Sequence, residues 1–131
     1  MSSGFALALR GDPESARLAR RAIAATHPPL PPSVQDDISL LVTELITNAV
    51  RHGCAGKRRT LHLRFRRRAD CIRVEVVDPG TDFEPAPAPP DGGSSGGWGL
   101  VLVDRIAERW GICPAPAGTC VWFEVPAGLT T

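Results

Sequence analysis

Glu44 and Asn48 stand four residues apart, so on a helix their side chains lie one turn above another, with His52 a further turn along. A carboxylate and an amide oxygen in such a row suit a magnesium ion and the phosphate oxygens around it. Asp78 ends a run in which Ile72, Val74 and Val76 share its parity, so its carboxylate is expected on the apolar face. A carboxylate there is costly without a donor, and an exocyclic amino group, such as that of adenine, supplies one. Gly92-Gly93-Ser94-Ser95-Gly96-Gly97-Trp98-Gly99-Leu100 opens a helical stretch. Its glycines let a ligand approach the backbone, and free amides at a helix start favour phosphate. Thr119 shares the parity of Val121 and Phe123, which turns its hydroxyl toward the buried side. Each feature also has a plainer reading. Glu44 and Asn48 fit a solvated helix flank, Asp78 fits a cap on the Pro79-Gly80 turn, and the glycines fit a flexible linker.

The elements that must position these residues follow from periodicity and punctuation. Phe5 to Leu9 reads as a short strand, and Asp12 as the N-cap of a helix with Pro13 at its first position and an end near Thr26. Pro28-Pro29-Leu30-Pro31-Pro32 breaks the chain. Ser33 then caps a second helix running to about His52, with Ile38, Leu41, Leu45 and Ala49 as its buried stripe and Gly53 as its close. Leu61 to Phe65 and Ile72 to Val76 alternate at period two and predict an antiparallel hairpin. Residues 79–97 are dominated by Pro, Gly, Ser and Asp and predict a long loop. Leu100, Val103, Ile106 and Ala107 then mark a third helix, and strands are expected at about 110–113 and 119–125. Helices over a largely antiparallel sheet predict a two-layer α+β sandwich, and the hairpin argues against a doubly wound nucleotide fold.

The bulk numbers narrow the field. A chain of 131 residues suits one domain, taken as 1–131. Its formal net charge of +1, from 15 basic and 14 acidic side chains, gives no overall field for nucleic acid or an anionic membrane. No apolar run nears the roughly 20 residues needed to span a bilayer, and no secretory signal is evident, so a cytoplasmic location is expected. Cys54, Cys71, Cys113 and Cys120 lack metal-ligand spacing and read as reduced thiols. Arg64, Arg66, Arg67 and Arg68 could form a nucleic-acid patch, but no aromatic residues interleave for base stacking, and a solvated hairpin explains them better.

Taken together and in order, these segments resemble the ATP-binding domain of the GHKL superfamily. Glu44-Leu45-Ile46-Thr47-Asn48-Ala49-Val50-Arg51-His52 looks like its N box, Asp78-Pro79-Gly80 its G1 box, residues 79–97 its lid, and Gly97-Trp98-Gly99-Leu100 its G2 box. The ending Gly118-Thr119-Cys120-Val121-Trp122-Phe123-Glu124 is similar to that of small actinobacterial anti-sigma-factor serine/threonine kinases. The resemblance implies ATP and Mg2+ as cofactors, with Asn48 as magnesium ligand and Asp78 as acceptor for the adenine amino group. It implies that Gly80, Gly97, Gly99 and Leu100 close around the nucleotide, that Thr119 supports the adenine end, and that Glu44 is the general base toward a partner's hydroxyl.

The implied partner is a STAS-type anti-anti-sigma protein, with a sigma factor as a further partner and homodimerisation as the family habit. Two departures stand out. Asp82 replaces the second glycine frequent in the G1 box, and no Lys or Arg lies between Asp78 and Trp98. They keep open a second function, an ATP-binding regulatory module that orders a partner surface without transferring phosphate. A sensor histidine kinase needs a phosphoacceptor helix pair, for which a chain of this length has no room.

Overall fold

The computed structural model describes residues 3–50, 60–78, 100–115 and 118–127. Alternation decides the middle of its sheet. Strand β2 (Leu61–Arg67) buries Leu61, Leu63 and Phe65 and exposes His62, Arg64 and Arg66, while β3 (Cys71–Asp78) buries Ile72, Val74, Val76 and Asp78. The two pair antiparallel, Phe65 opposite Val74 and Leu63 opposite Val76, as the hairpin pattern predicts. Strand β1 (Ser3–Leu9) flanks β2, β5 (Gly118–Pro126) flanks β3, and β4 (Arg109–Ala115) lies outside β5. The order is therefore β1-β2-β3-β5-β4, with all four described pairings antiparallel.

Helices α1 (Ser15–Ala24), α2 (Pro32–Asn48) and α3 (Leu100–Ile106) complete the two-layer α+β sandwich. One core joins them to the inward side of the sheet. Ala19 and Ile23 of α1, Ile38, Leu41 and Val42 of α2, and Val103 of α3 meet Leu63, Phe65, Ile72, Val74 and Phe123 there, all essentially inaccessible to water. Helix α2 is central to this layer, packing on α1, α3, β3 and β5. No described helix is long and apolar enough to cross a membrane.

Two helix starts differ from the sequence expectation. Helix α1 begins at Ser15, with Glu14 rather than Asp12 in the cap position. Gly11 adopts a left-handed backbone (φ 72°), and this turn lets the buried Ser15 hydroxyl accept from the backbone N–H groups of Gly11 and Asp12, at 3.1 and 3.2 Å. Asp12 becomes a turn residue, its Oδ1 accepting from the Glu14 N–H at 3.0 Å. Helix α2 is capped by Pro31 with Pro32 in its first turn, so Ser33 is not the cap. A proline there has no N–H to satisfy and needs no side-chain acceptor. The helix ends at Asn48 with Ala49 still in helical backbone, and the expected extension to His52 and Gly53 lies outside the described residues.

Candidate functional site

Helix α2 brings the first two candidates to the inward layer. Its buried stripe runs through Val34, Ile38, Leu41, Val42, Leu45 and Ile46, and this fixes the rotation of the helix about its axis. Glu44 falls half-buried on the flank of the stripe, and Asn48, one turn on, is buried with 8% of its surface exposed. The opposite flank is tied down by Arg20 of α1, which donates to the Thr43 hydroxyl at 2.9 Å, while that hydroxyl donates to the Ser39 carbonyl at 2.7 Å. The helix thus presents Glu44 and Asn48 in a held orientation.

Asn48 carries an unmet hydrogen-bonding group. Its Nδ2 is shielded from water and has no hydrogen-bond partner among the described residues. An amide left so is unfavourable by about 1–3 kcal/mol, which a ligand able to meet it would relieve. As built, the amide would donate to a phosphate oxygen; turned over, it would present Oδ1 to a cation. The donor chemistry therefore fits a magnesium-bound phosphate chain. No group of three or more His, Cys, Asp or Glu side chains at metal-binding spacing occurs among the described residues, so any metal here takes most of its ligands from elsewhere.

Asp78 is buried, 3% exposed, on the inward side of β3, as its parity predicts. Thr119 of β5 is its direct cross-strand partner, half-buried, so two residues 41 positions apart in sequence meet at one end of the sheet. Parity identified both; only the strand register brings them together. Leu100 forms the first residue of α3, a helix anchored by the buried Val103 and by the Asp104 carboxylate, which accepts from Trp110 Nε1 at 2.8 Å. Gly80, Gly97 and Gly99 lie outside the described residues, as do Arg51, His52 and the whole lid segment 79–97. Three cavities lined by described residues, of about 420, 260 and 210 Å³, do not include Glu44, Asn48 or Asp78.

The outward side of the sheet carries a charge network that sequence reading did not single out. Glu124 is buried to 8% exposure and is gripped by Arg73 at 3.1 Å and Arg109 at 3.5 Å. Arg73 also bonds Glu75 at 2.8 Å and lies over the Trp122 ring, 4.0 Å from its centroid. Burial pulls the Arg73 guanidinium down, but its hydrogen bonds to Glu75 and Glu124 outweigh that and hold it above its ordinary range. The only available signal was the outward parity of Arg73, Glu75, Trp122 and Glu124, which in an isolated strand means no more than exposure.

No curated protein matches the chain. Among solved structures, it is similar to the histidine kinase domain from the Erythrobacter litoralis EL346 blue-light activated histidine kinase, at 21% identity and a TM-score of 0.59. The likeness covers 91% of this chain but 62% of that one, and at this identity it speaks for the fold. The profile described as "Histidine kinase-like ATPase domain" matches residues 9–125. With that match running through both α2 and β3, the chain belongs to the histidine kinase-like ATPase domain family, the GHKL type of ATP-binding domain.

Proposed function

We propose that the chain binds ATP with Mg2+ and transfers the γ-phosphoryl group to a serine or threonine hydroxyl of a STAS-type anti-anti-sigma partner. The observation that carries the ATP site is the buried Asn48 amide, with Nδ2 lacking a partner among the described residues, one helical turn from a half-buried carboxylate. Asn48 would hold the magnesium, which when bound neutralises charge on the phosphates. Asp78 accepts from the adenine amino group, with Thr119 beside it across the strand pair. Gly80, Gly97, Gly99 and Leu100 are assigned to the enclosure of the nucleotide by their resemblance to the G1 and G2 boxes. Glu44 takes the proton of the partner's hydroxyl as its oxygen bonds to the γ-phosphorus and the bond to the departing ADP breaks.

Calorimetry of ATP binding with and without Mg2+ tests the site, on the wild type and on Asn48→Ala and Asp78→Asn. Magnesium-dependent binding lost in both variants supports it; undiminished binding in either removes that residue from the site. Glu44→Ala separates binding from chemistry. It should bind ATP as the wild type does but transfer labelled phosphate to a STAS protein at least roughly 100-fold more slowly.

A second reading has its own support. The stretch from Asp78 to Trp98 contains no Lys or Arg, so it brings no cation to a γ-phosphate. A regulatory module that binds ATP to shape a partner surface needs none. Partner binding that depends on ATP, without any transfer of label, would favour this second function.

A further inference from the structure

The four clustered arginines of the sequence are divided by the strand. Arg67 turns to one side and donates to the Pro28 carbonyl oxygen. Arg64, Arg66 and Arg68 stay exposed and, with Gly4, Phe5, Ala6 and Phe65, line a groove of about 420 Å³ on the outward side of the sheet. The register explains the groove. Arg66 faces Gly4, Arg64 faces Ala6 and His62 faces Ala8, so each basic residue of β2 has a small neighbour on β1. Nothing on β1 shields the basic row from the side of the sheet. A Cβ at Gly4 would collide with the Phe65 carbonyl oxygen, which holds that floor position to glycine.

Two further facts concern what fits there. Strand β1 is an edge, its far side bearing no described strand, so its outward N–H and C=O groups are offered to another chain. The groove is also short of negative charge. Glu75 lies 3.7 Å from Arg64, but no described carboxylate lies within ion-pair distance of Arg66 or Arg68.

We propose that an extended acidic segment of another protein adds as a strand to the free edge of β1, with alternate Asp or Glu side chains reaching across Gly4 and Ala6 to Arg64, Arg66 and Arg68. A second copy of the chain is a poor occupant, because Ser3–Leu9 contains no acidic residue, so pairing β1 with itself brings no carboxylate to the arginine row of either copy. Nucleic acid is also disfavoured, since Phe65 is only 1% exposed and Phe5 is stacked on it, leaving no aromatic platform for a base. The groove lies on the side of the sheet away from Asn48 and Asp78, so it stands apart from the nucleotide site.

The experiment is selection of a displayed library of random 12-residue peptides against the full chain, followed by titration of a synthetic peptide made from the enriched sequences. The wild type should enrich peptides with acidic residues at every second position. Arg64→Glu/Arg66→Glu and Ala6→Glu should each bind the synthetic peptide at least roughly tenfold more weakly. An Asn/Gln version of the peptide should lose affinity by a similar factor, and bound peptide should slow hydrogen exchange along β1. Circular dichroism checks folding, and if the double variant fails to fold, Ala6→Glu at its exposed position carries the test. Four outcomes overturn the proposal: no acidic alternation among selected peptides, undiminished binding by folded variants, tighter binding of a single-stranded oligonucleotide through the same arginines, or dimerisation of the chain through β1.

Discussion

Asn48 and Ser15 are both buried polar residues, and they respond to alanine in opposite directions. Ser15 is fully buried, and its hydroxyl accepts from two backbone N–H groups. Ser15→Ala leaves both donors unmet and should destabilise the protein by about 1–3 kcal/mol in urea unfolding. Asn48 has an end with no described partner, so Asn48→Ala removes an unmet group. Without nucleotide the variant should be at least as stable as the wild type, by up to about 1 kcal/mol, while Mg-ATP no longer stabilises it. This pairing of a stability gain with a binding loss is the signature of a residue placed for a ligand. The sequence marked Asn48 as a candidate through its spacing from Glu44, and Asp78 and Thr119 through parity. It did not reveal that Asn48 is the more deeply buried of the helix pair, because that depends on how α2 rolls against β3 and β5.

At the level of elements, the hairpin of β2 and β3 was the most legible part of the chain, since a period of two with one buried side admits little else. The start of α1 was misread for a physical reason. Asp12 and Ser15 both offer acceptors near a helix start, and the choice between them is made by the Gly11 turn, which a residue list does not show. The placement of β5 between β3 and β4 likewise depends on tertiary pairing. On its outward side, Gly111 of β4 faces Trp122 of β5, and the missing side chain leaves room for the indole. A Cβ at Gly111 would stand 2.9 Å from the indole Nε1, so Gly111→Ala must displace the ring over which Arg73 lies and disturb their contact. Loss of the ring-cation contact should destabilise by about 0.5–1 kcal/mol, visible as an altered tryptophan emission and a lower urea midpoint. ATP affinity should stay unchanged, because the altered contact is on the side of the sheet away from Asp78.

For the whole molecule, binding and stability are linked. A ligand at 100 times its dissociation constant stabilises the folded chain by about 2.7 kcal/mol. For a domain of 131 residues, that raises Tm by about 10 °C. Mg-ATP should produce a shift of this size in a thermal melt, and ATP with a chelator a much smaller one. A site that does not depend on magnesium would give equal shifts. The two-layer architecture was legible because each amphipathic element has a single surface to hide, and those surfaces fit together in few ways. The glycines assigned to the enclosure of the nucleotide were legible only as a motif.

The register of the sheet also fixes where polypeptide enters and leaves. Ser3 pairs with Arg67, Arg67 with Ile72, and Ile72 with Val125, so the first and last strands have their outer ends at the same pole of the sheet. Asp78 and Thr119 occupy the opposite pole. With two strands between them, β1 and β5 are roughly 14 Å apart, a gap that about six linker residues span. The domain is therefore a natural candidate for circular permutation: joining these ends and opening the chain at the exposed Arg68-Ala69-Asp70 turn rearranges the connectivity far from the pole that holds Asp78 and Thr119.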